Sequence, residues 1–305
     1  MISQTARDAL AEALGDGVTF DVPMSRHTSL RIGGRADAFA TPAAREELAR
    51  LLEVCAAHRL RHTVLGSGFN TLVLDGRVEG VVIQLKQLQR LEERPGQRLR
   101  AEAGVSHSRL TRFCSDRGLS GLEFAAGIPG TVGGWLAMNA GIPAREVKDV
   151  VSEIEVMSPT GRSVRHLGRR GLRFSYRALR GLAAGSLILS VLFEVAISDP
   201  ASVRAEVNRY LARRAETQPL NVPSCGSVFK NPPGQHAGQL IEAVGLKGRR
   251  IGDAQISPVH ANFIANLGQA TAADVLALIR EVQETVRSAT GTHLEPEVRI
   301  LGSMA

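Results

Sequence analysis

At 305 residues, 44% of them apolar and 22% charged, the chain has a globular balance and is too long for one minimal core, so two or three packed units are expected. Lys and Arg outnumber Asp and Glu by 37 to 30, a formal charge of +7 that suits polyanions or small anions; an aromatic content of 4% and dispersed arginines turn that choice from nucleic acid towards nucleotides. No apolar run reaches the roughly 18 residues of a membrane helix, and the first residues mix acids and bases without the layout of a secretory signal, so a cytoplasmic protein engaging no membrane is expected.

In chain order, Thr41 and Pro42 read as an N-cap and a first helical residue. Leu48, Leu51, Leu52 and Cys55 then recur at helical spacing, to about residue 58. A short apolar strand at 63–65 runs into a first glycine loop, and a strand at 81–85 follows, so residues 1–85 read as a small α/β unit. A strand near 98–103, a helix near 108–117, a glycine-rich segment and strands near 151–157 and 187–197 make a second subdomain over 86–199. Asp199 and Pro200 again read as a cap and a first helical residue, and open a C-terminal domain over 200–305. Its first helix places Val203, Val207, Tyr210 and Leu211 on one buried stripe. Helices near 237–244 and 272–289 follow, the second capped by Thr271 with Gly291 beyond its end, and a strand at 297–301 closes the chain. Strands and helices mix without strict β-α-β alternation, which favours an α+β fold over a doubly wound sheet. Cys55, Cys114 and Cys225 are odd in number with no CxxC spacing, and the histidines show no ligand spacing, so neither a disulfide framework nor a metal is expected.

Four segments carry chemistry. Gly66-Ser67-Gly68-Phe69-Asn70-Thr71 follows a strand directly. Such a loop is either a plain turn or a place where bare backbone N–H groups approach a pyrophosphate. It lacks the third glycine and the helix of a Rossmann fingerprint. The stretch from Gly127 to Gly141 holds five glycines in fifteen residues and reads either as a loop crossing a domain interface or as a second backbone cradle for a dinucleotide. Ser227 follows Gly226, but Phe229 stands where a hydrolase elbow needs glycine; the serine is left as a turn residue or a proton donor. Glu295 and Glu297 flank Pro296 as solvated acids, or as a carboxyl that tunes charge beside an arginine such as Arg177.

Further segments join these: the run from His27 to Gly34, Ser175-Tyr176-Arg177, Gly245-Leu246-Lys247-Gly248, His260-Ala261-Asn262-Phe263 and Pro296-Glu297-Val298. As a set, from about His27 to Gly302, they resemble the UDP-N-acetylenolpyruvoylglucosamine reductase (MurB) family. The resemblance implies an α+β fold: a two-subdomain FAD-binding region of the vanillyl-alcohol-oxidase (PCMH) type, then a smaller α+β substrate domain. It implies non-covalent FAD, NADPH as hydride donor, and reduction of UDP-N-acetylglucosamine enolpyruvate to UDP-N-acetylmuramate in peptidoglycan precursor synthesis, with no obligatory protein partner. FAD would be held by Gly66, Ser67, Gly68, Phe69, Asn70 and Thr71, and by Gly127, Ile128, Pro129, Gly130, Thr131, Gly133, Gly134, Ala137, Asn139 and Gly141. Arg177 and Glu297 would stabilise the charge that develops on the substrate, and Ser227 would protonate its carbon. Tyr176, Asn231, Lys247 and His260 match substrate-contact positions, and Arg214 a phosphate contact. Phe69 departs from the family's usual serine and Cys225 from its usual alanine, and the short spacing from Tyr176 to Ser227 resembles the subgroup without an extra substrate-covering loop.

Two other readings compete. A PCMH-type oxidase acting on an alcohol or sugar shares the fold, and many such oxidases tether their flavin through a histidine in the first glycine loop, which this sequence lacks. A non-catalytic nucleotide or nucleic-acid binder is the remaining alternative; it predicts a colourless protein, or binding with a steep salt dependence.

Overall fold

The structure is a computed structural model and describes residues 2–304. Contacts group the chain into two units. The first takes the residues up to Phe20, with Ala38–Ser67 and Gly80–Arg214; the second takes Asp21–Asp37, Gly68–Glu79 and the chain from Ala215 onward.

The first unit holds two cores. In one, helices Gln4–Leu14 and Arg45–Ala57 bury Leu10, Leu48, Leu51, Leu52 and Cys55 against Ala38, Ala40, Val81 and Ile83. The apolar repeat of three and four residues puts those leucines on one face. Ser3 caps the first helix by accepting from Ala6 N, while Glu46 and Glu47 place negative charge in the first turn of the second. The second helix starts later than its sequence suggests, with Ala44 as cap. Thr41 lies outside the helix, its N–H bonded to Gly17 O at 2.8 Å, and the first helical bond runs from Leu48 N to Ala44 O at 3.1 Å.

The other core lies under a five-stranded antiparallel sheet in the order Val164–Gly168, Val151–Met157, Leu187–Glu194, Arg98–Glu102, Leu91–Arg94. Leu110, Cys114, Phe124, Trp135 and Leu136 pack with it. The opposite face carries Glu102, Glu153 and Glu155, bridged by Arg45, Arg100 and His166. Burial alone would raise the Glu155 carboxyl, but the Ser190 hydroxyl, Arg45 and Arg100 outweigh it and hold it at about 2.

Helix Pro200–Thr217 begins where the sequence places it, with Asp199 accepting from Ser202 N at 2.8 Å. Val203 and Val207 are buried and Tyr210 packs on the second core of the first unit, whereas Leu211 is exposed. The buried stripe is therefore 203, 207 and 210. The helix as far as Arg214 groups with the first unit, whereas the sequence reading opens a new domain at residue 200.

The second unit is built on an antiparallel sheet ordered Ser224–Ser227, Phe263–Asn266, Ala254–Ile256, Arg250–Ile251, with helices Ala237–Ala243 and Ala272–Thr290 packed in its core. Thr271 and Asp274 form a capping box on the long helix, and Gly291 ends it in the left-handed region. The Asp75 carboxylate adds acceptors for Ala272 N and Ala273 N at the same terminus. Strand Arg299–Leu301 pairs parallel with Thr71–Val73 and is shorter than the sequence suggests, because residues 296–298 turn to meet 228–229.

Candidate active site

In the first unit the two glycine segments meet. A side-chain carbon built on Gly66 would stand 3.0 Å from Thr131 Oγ1, and one on Gly134 would stand 3.5 Å from the same atom. Gln84 fixes the first loop through Gly66 O at 2.8 Å, and Trp135 Nε1 donates to Pro129 O at 3.3 Å. Ile128 N bonds back to Ala125 O at 3.0 Å. His107 hydrogen-bonds Gly130 and is held below the usual imidazole range by burial and then by the positive charge of Arg214. Arg214, read from sequence as a substrate contact, is thus close enough for its charge to act on His107. Side-chain-free backbone around Thr131, with the Arg214 charge felt at His107 next to Gly130, suits a dinucleotide's diphosphate, so these residues fit FAD.

Two members of the segment are committed within the unit. Gly133 donates its N–H to Ala103 O at 2.9 Å, and a side-chain carbon there would lie 2.9 Å from Ala103 Cβ. Asn139 is fully buried; its amide donates to Glu146 Oε2 and to Ser175 O, both at 3.1 Å, and accepts from Lys148 N at 3.1 Å. Ala137 ends the short helix Val132–Ala137. Arg177 donates to Gly141 O at 3.3 Å and stands over the Tyr176 ring at 4.8 Å.

In the second unit, Gly68, with φ of +70°, lies against the His27–Thr28 backbone, so close that a side chain would strike His27 O at 2.4 Å. Ser29 secures this contact: its hydroxyl lies 3.0 Å from Gly68 O and 2.7 Å from Ser224 O. Phe69 and Asn70 follow, and the Asn70 amide donates to Glu297 O at 3.0 Å. Gly226, with φ of +79°, sits in an irregularity of register between Ser224 and Ser227, a bulge that re-aims the serine. Glu297 N donates to Val228 O at 2.7 Å, which sets the glutamate next to the residue following Ser227. The backbone thus brings Glu297 beside the segment that carries Ser227, seventy residues earlier in sequence. Asn262 locks the same strand by bonding Phe229 N and O at 2.9 and 2.8 Å. Cys225 is buried and its thiol is pushed up to about 12 by burial, so it stays protonated and inert.

Asn231, Lys247 and His260 gather around helix Ala237–Ala243. Asn231 Oδ1 accepts from Ala237 N at 3.0 Å, His260 packs against Gly238, and Lys247 pairs with Glu242 at 2.9 Å. His260 Nδ1 accepts from Asn262 N at 3.2 Å, and burial holds the ring below its usual pKa, with Lys247 adding to the effect. The imidazole is neutral at pH 7. Ser29, Asn262 and Glu146 lay within or beside the quoted motifs, yet sequence reading gave them no role; what singles them out is hydrogen bonding to distant residues.

The fold and the glycine cradle define a flavin-binding protein of the vanillyl-alcohol-oxidase type. A model described as an FAD binding domain matches residues 36–166. A berberine bridge enzyme structure, 14% identical with a TM-score of 0.50 over 65% of this chain and 44% of that one, shares the fold alone. Residues 218–301 match the C-terminal domain of UDP-N-acetylenolpyruvoylglucosamine reductase. The reductase of Geobacter metallireducens is 46% identical over 96% of each chain, and that of Moorella thermoacetica 45% over 96% of this chain and 98% of the relative. The crystal structure of the reductase (MurB) from Thermus caldophilus is 37% identical with a TM-score of 0.80, covering 92% of this chain and 98% of that one. The chain belongs to the UDP-N-acetylenolpyruvoylglucosamine reductase family.

Proposed function

We propose that this protein reduces UDP-N-acetylglucosamine enolpyruvate to UDP-N-acetylmuramate in peptidoglycan precursor synthesis, with NADPH as hydride donor and FAD held non-covalently. The observation that carries this reading is likeness along nearly the whole chain, 46% identity over 96% of both sequences. The protein works in the cytoplasm and needs neither nucleic acid, membrane nor a protein partner.

Gly66 to Thr71 and Gly127 to Gly141 hold the cofactor, and Arg214 contacts a phosphate of the substrate. When bound, FAD supplies the hydride relay from NADPH to the vinyl carbon of the substrate. Hydride addition leaves negative charge on the neighbouring carbon and its carboxylate. Arg177, a planar cation with paired donors, holds that carboxylate, and Glu297 stabilises the same charge. Ser227 delivers a proton to the carbon, completing addition of one hydride and one proton across the double bond. Asn231, Lys247, His260 and Tyr176 contact the sugar nucleotide. Neutral His260 serves there as a hydrogen-bonding group.

Turnover in D2O tests the proton's source. The product carries solvent deuterium at the carbon Ser227 protonates, and Ser227→Ala slows the formation of that labelled product. A product without deuterium at that carbon contradicts the scheme.

A further inference from the structure

We propose that Glu146 is a positioning residue that sets the Arg177 guanidinium for substrate carboxylate, acting with Gly141 and buried Asn139. The inference rests on the reading of Arg177 as the carboxylate clamp.

Arg177 has φ of +55°, the left-handed conformation required of the second turn residue in the two-residue hairpin that pairs Ser175 with Ala178. Two contacts tie this turn and its arginine to the glycine segment. Asn139 donates to Ser175 O at 3.1 Å, two residues before Arg177, and Arg177 Nη2 donates to Gly141 O at 3.3 Å. Glu146 Oε1 stands 3.8 Å from Arg177 Nη1, with the two side chains only 18% and 17% exposed. Gly141 and Glu146 face each other across a two-residue antiparallel pairing, so the carbonyl and the carboxylate that face the guanidinium come from one small hairpin. A side-chain carbon on Gly141 would lie 2.8 Å from Glu146 Cα and Cγ, so glycine is what allows this approach.

Glu146 is itself held from several sides. Its carboxylate accepts from Asn139 Nδ2 at 3.1 Å, pairs with Lys148 Nζ, and caps the short 3-10 turn Val147–Asp149 in a reciprocal box with Asp149. Lys148 answers the carboxylate's charge at close range, while the 3.8 Å separation keeps Arg177 loosely paired. The Gly141 carbonyl and the Tyr176 ring orient the guanidinium plane, and the Glu146 charge holds the cation against them without fully neutralising it; a bidentate clamp depends on that placement.

The test uses holoenzymes carrying Glu146→Gln, Glu146→Ala, Arg177→Ala and the paired combinations with Arg177→Ala. Readouts are flavin content, flavin reduction by NADPH, anaerobic flavin reoxidation by UDP-N-acetylglucosamine enolpyruvate, and calorimetric affinity for that sugar nucleotide. Glu146→Gln, which keeps an acceptor for Asn139 but loses the charge facing Arg177, is expected to retain flavin and normal NADPH reduction. Its substrate affinity and reoxidation rate fall by on the order of 10- to 100-fold, the scale of a misplaced clamp. In the Arg177→Ala background, removing Glu146 changes neither quantity further. Wild-type affinity and reoxidation in Glu146→Gln, or full additivity with Arg177→Ala, overturns the proposal while leaving the role of Arg177 intact. Loss of flavin from Glu146→Gln assigns the residue to folding and also overturns it. Normal turnover in Arg177→Ala instead removes the premise.

Discussion

A serine hydroxyl releases its proton only to a base as strong as a carbanionic carbon, so a proton-donating serine matters in one half of a two-stage reaction and not in the other. Ser227→Ala is therefore expected to keep its flavin and its NADPH reduction rate while the substrate-dependent half-reaction slows by about 100-fold or more. Stopped-flow absorbance separates the stages, and equal rates for variant and wild type in the second would remove Ser227 from the mechanism. Cys225, two residues away, gives a complementary expectation. Its thiol, with those of Cys114 and Cys55, is pushed up to about 12, 12 and 11 by burial, so alkylation at pH 8 should label none in the native protein and all three once unfolded. At this scale the sequence shows which residue types are present but not their neighbours. The Ser227 and Glu297 motifs are visible in the chain; the approach of their segments depends on backbone bonds such as Glu297 N to Val228 O and Lys230 N to Glu295 O, which no local pattern announces.

Helix Ala272–Thr290 is legible at both ends because its signals are local: a threonine with an acid three residues on, an apolar stripe, and a glycine in the left-handed region. Thr271→Ala should lower the unfolding free energy by about 1 kcal/mol in urea titration, with activity unchanged. Helix Arg45–Ala57 starts later than the Thr41-Pro42 signal suggests, because its N-cap is Ala44, which has no capping side chain and so leaves no mark in the sequence. Gly133 shows the same limit. A glycine-rich run invites the reading of open backbone for a ligand, yet the pressure against a side chain at this position comes from Ala103. Gly133→Val should overpack that contact, costing about 1–3 kcal/mol, and lose FAD together with stability. Flavin loss at undiminished stability would contradict the packing argument.

For the molecule as a whole, the α+β class and the three cores follow from apolar patterning, but the grouping of segments 21–37 and 68–79 with the C-terminal unit depends on long-range contacts and has no composition signal. Charge gives the whole-molecule response to pH. His107 and His260 are depressed by burial, so the unfolded chain takes up protons first as pH falls past the ordinary imidazole value of about 6.5; their contribution is present above that pH and declines below it. Glu155, at about 2 in the folded state against 4.5, contributes above pH 4.5 and loses its contribution as pH falls towards 2. Thermal melts should fall first below about pH 6.5 and more steeply below 4.5, with Glu155→Gln flattening the second fall. A melt independent of pH from 8 to 3 would contradict the burial of these groups. The most direct test of the central claim is the visible flavin band of the purified protein without oxygen. The band should bleach on adding NADPH, stay bleached, and return only on adding UDP-N-acetylglucosamine enolpyruvate; a protein that binds no flavin, or whose colour returns with oxygen but never with that sugar nucleotide, would contradict it.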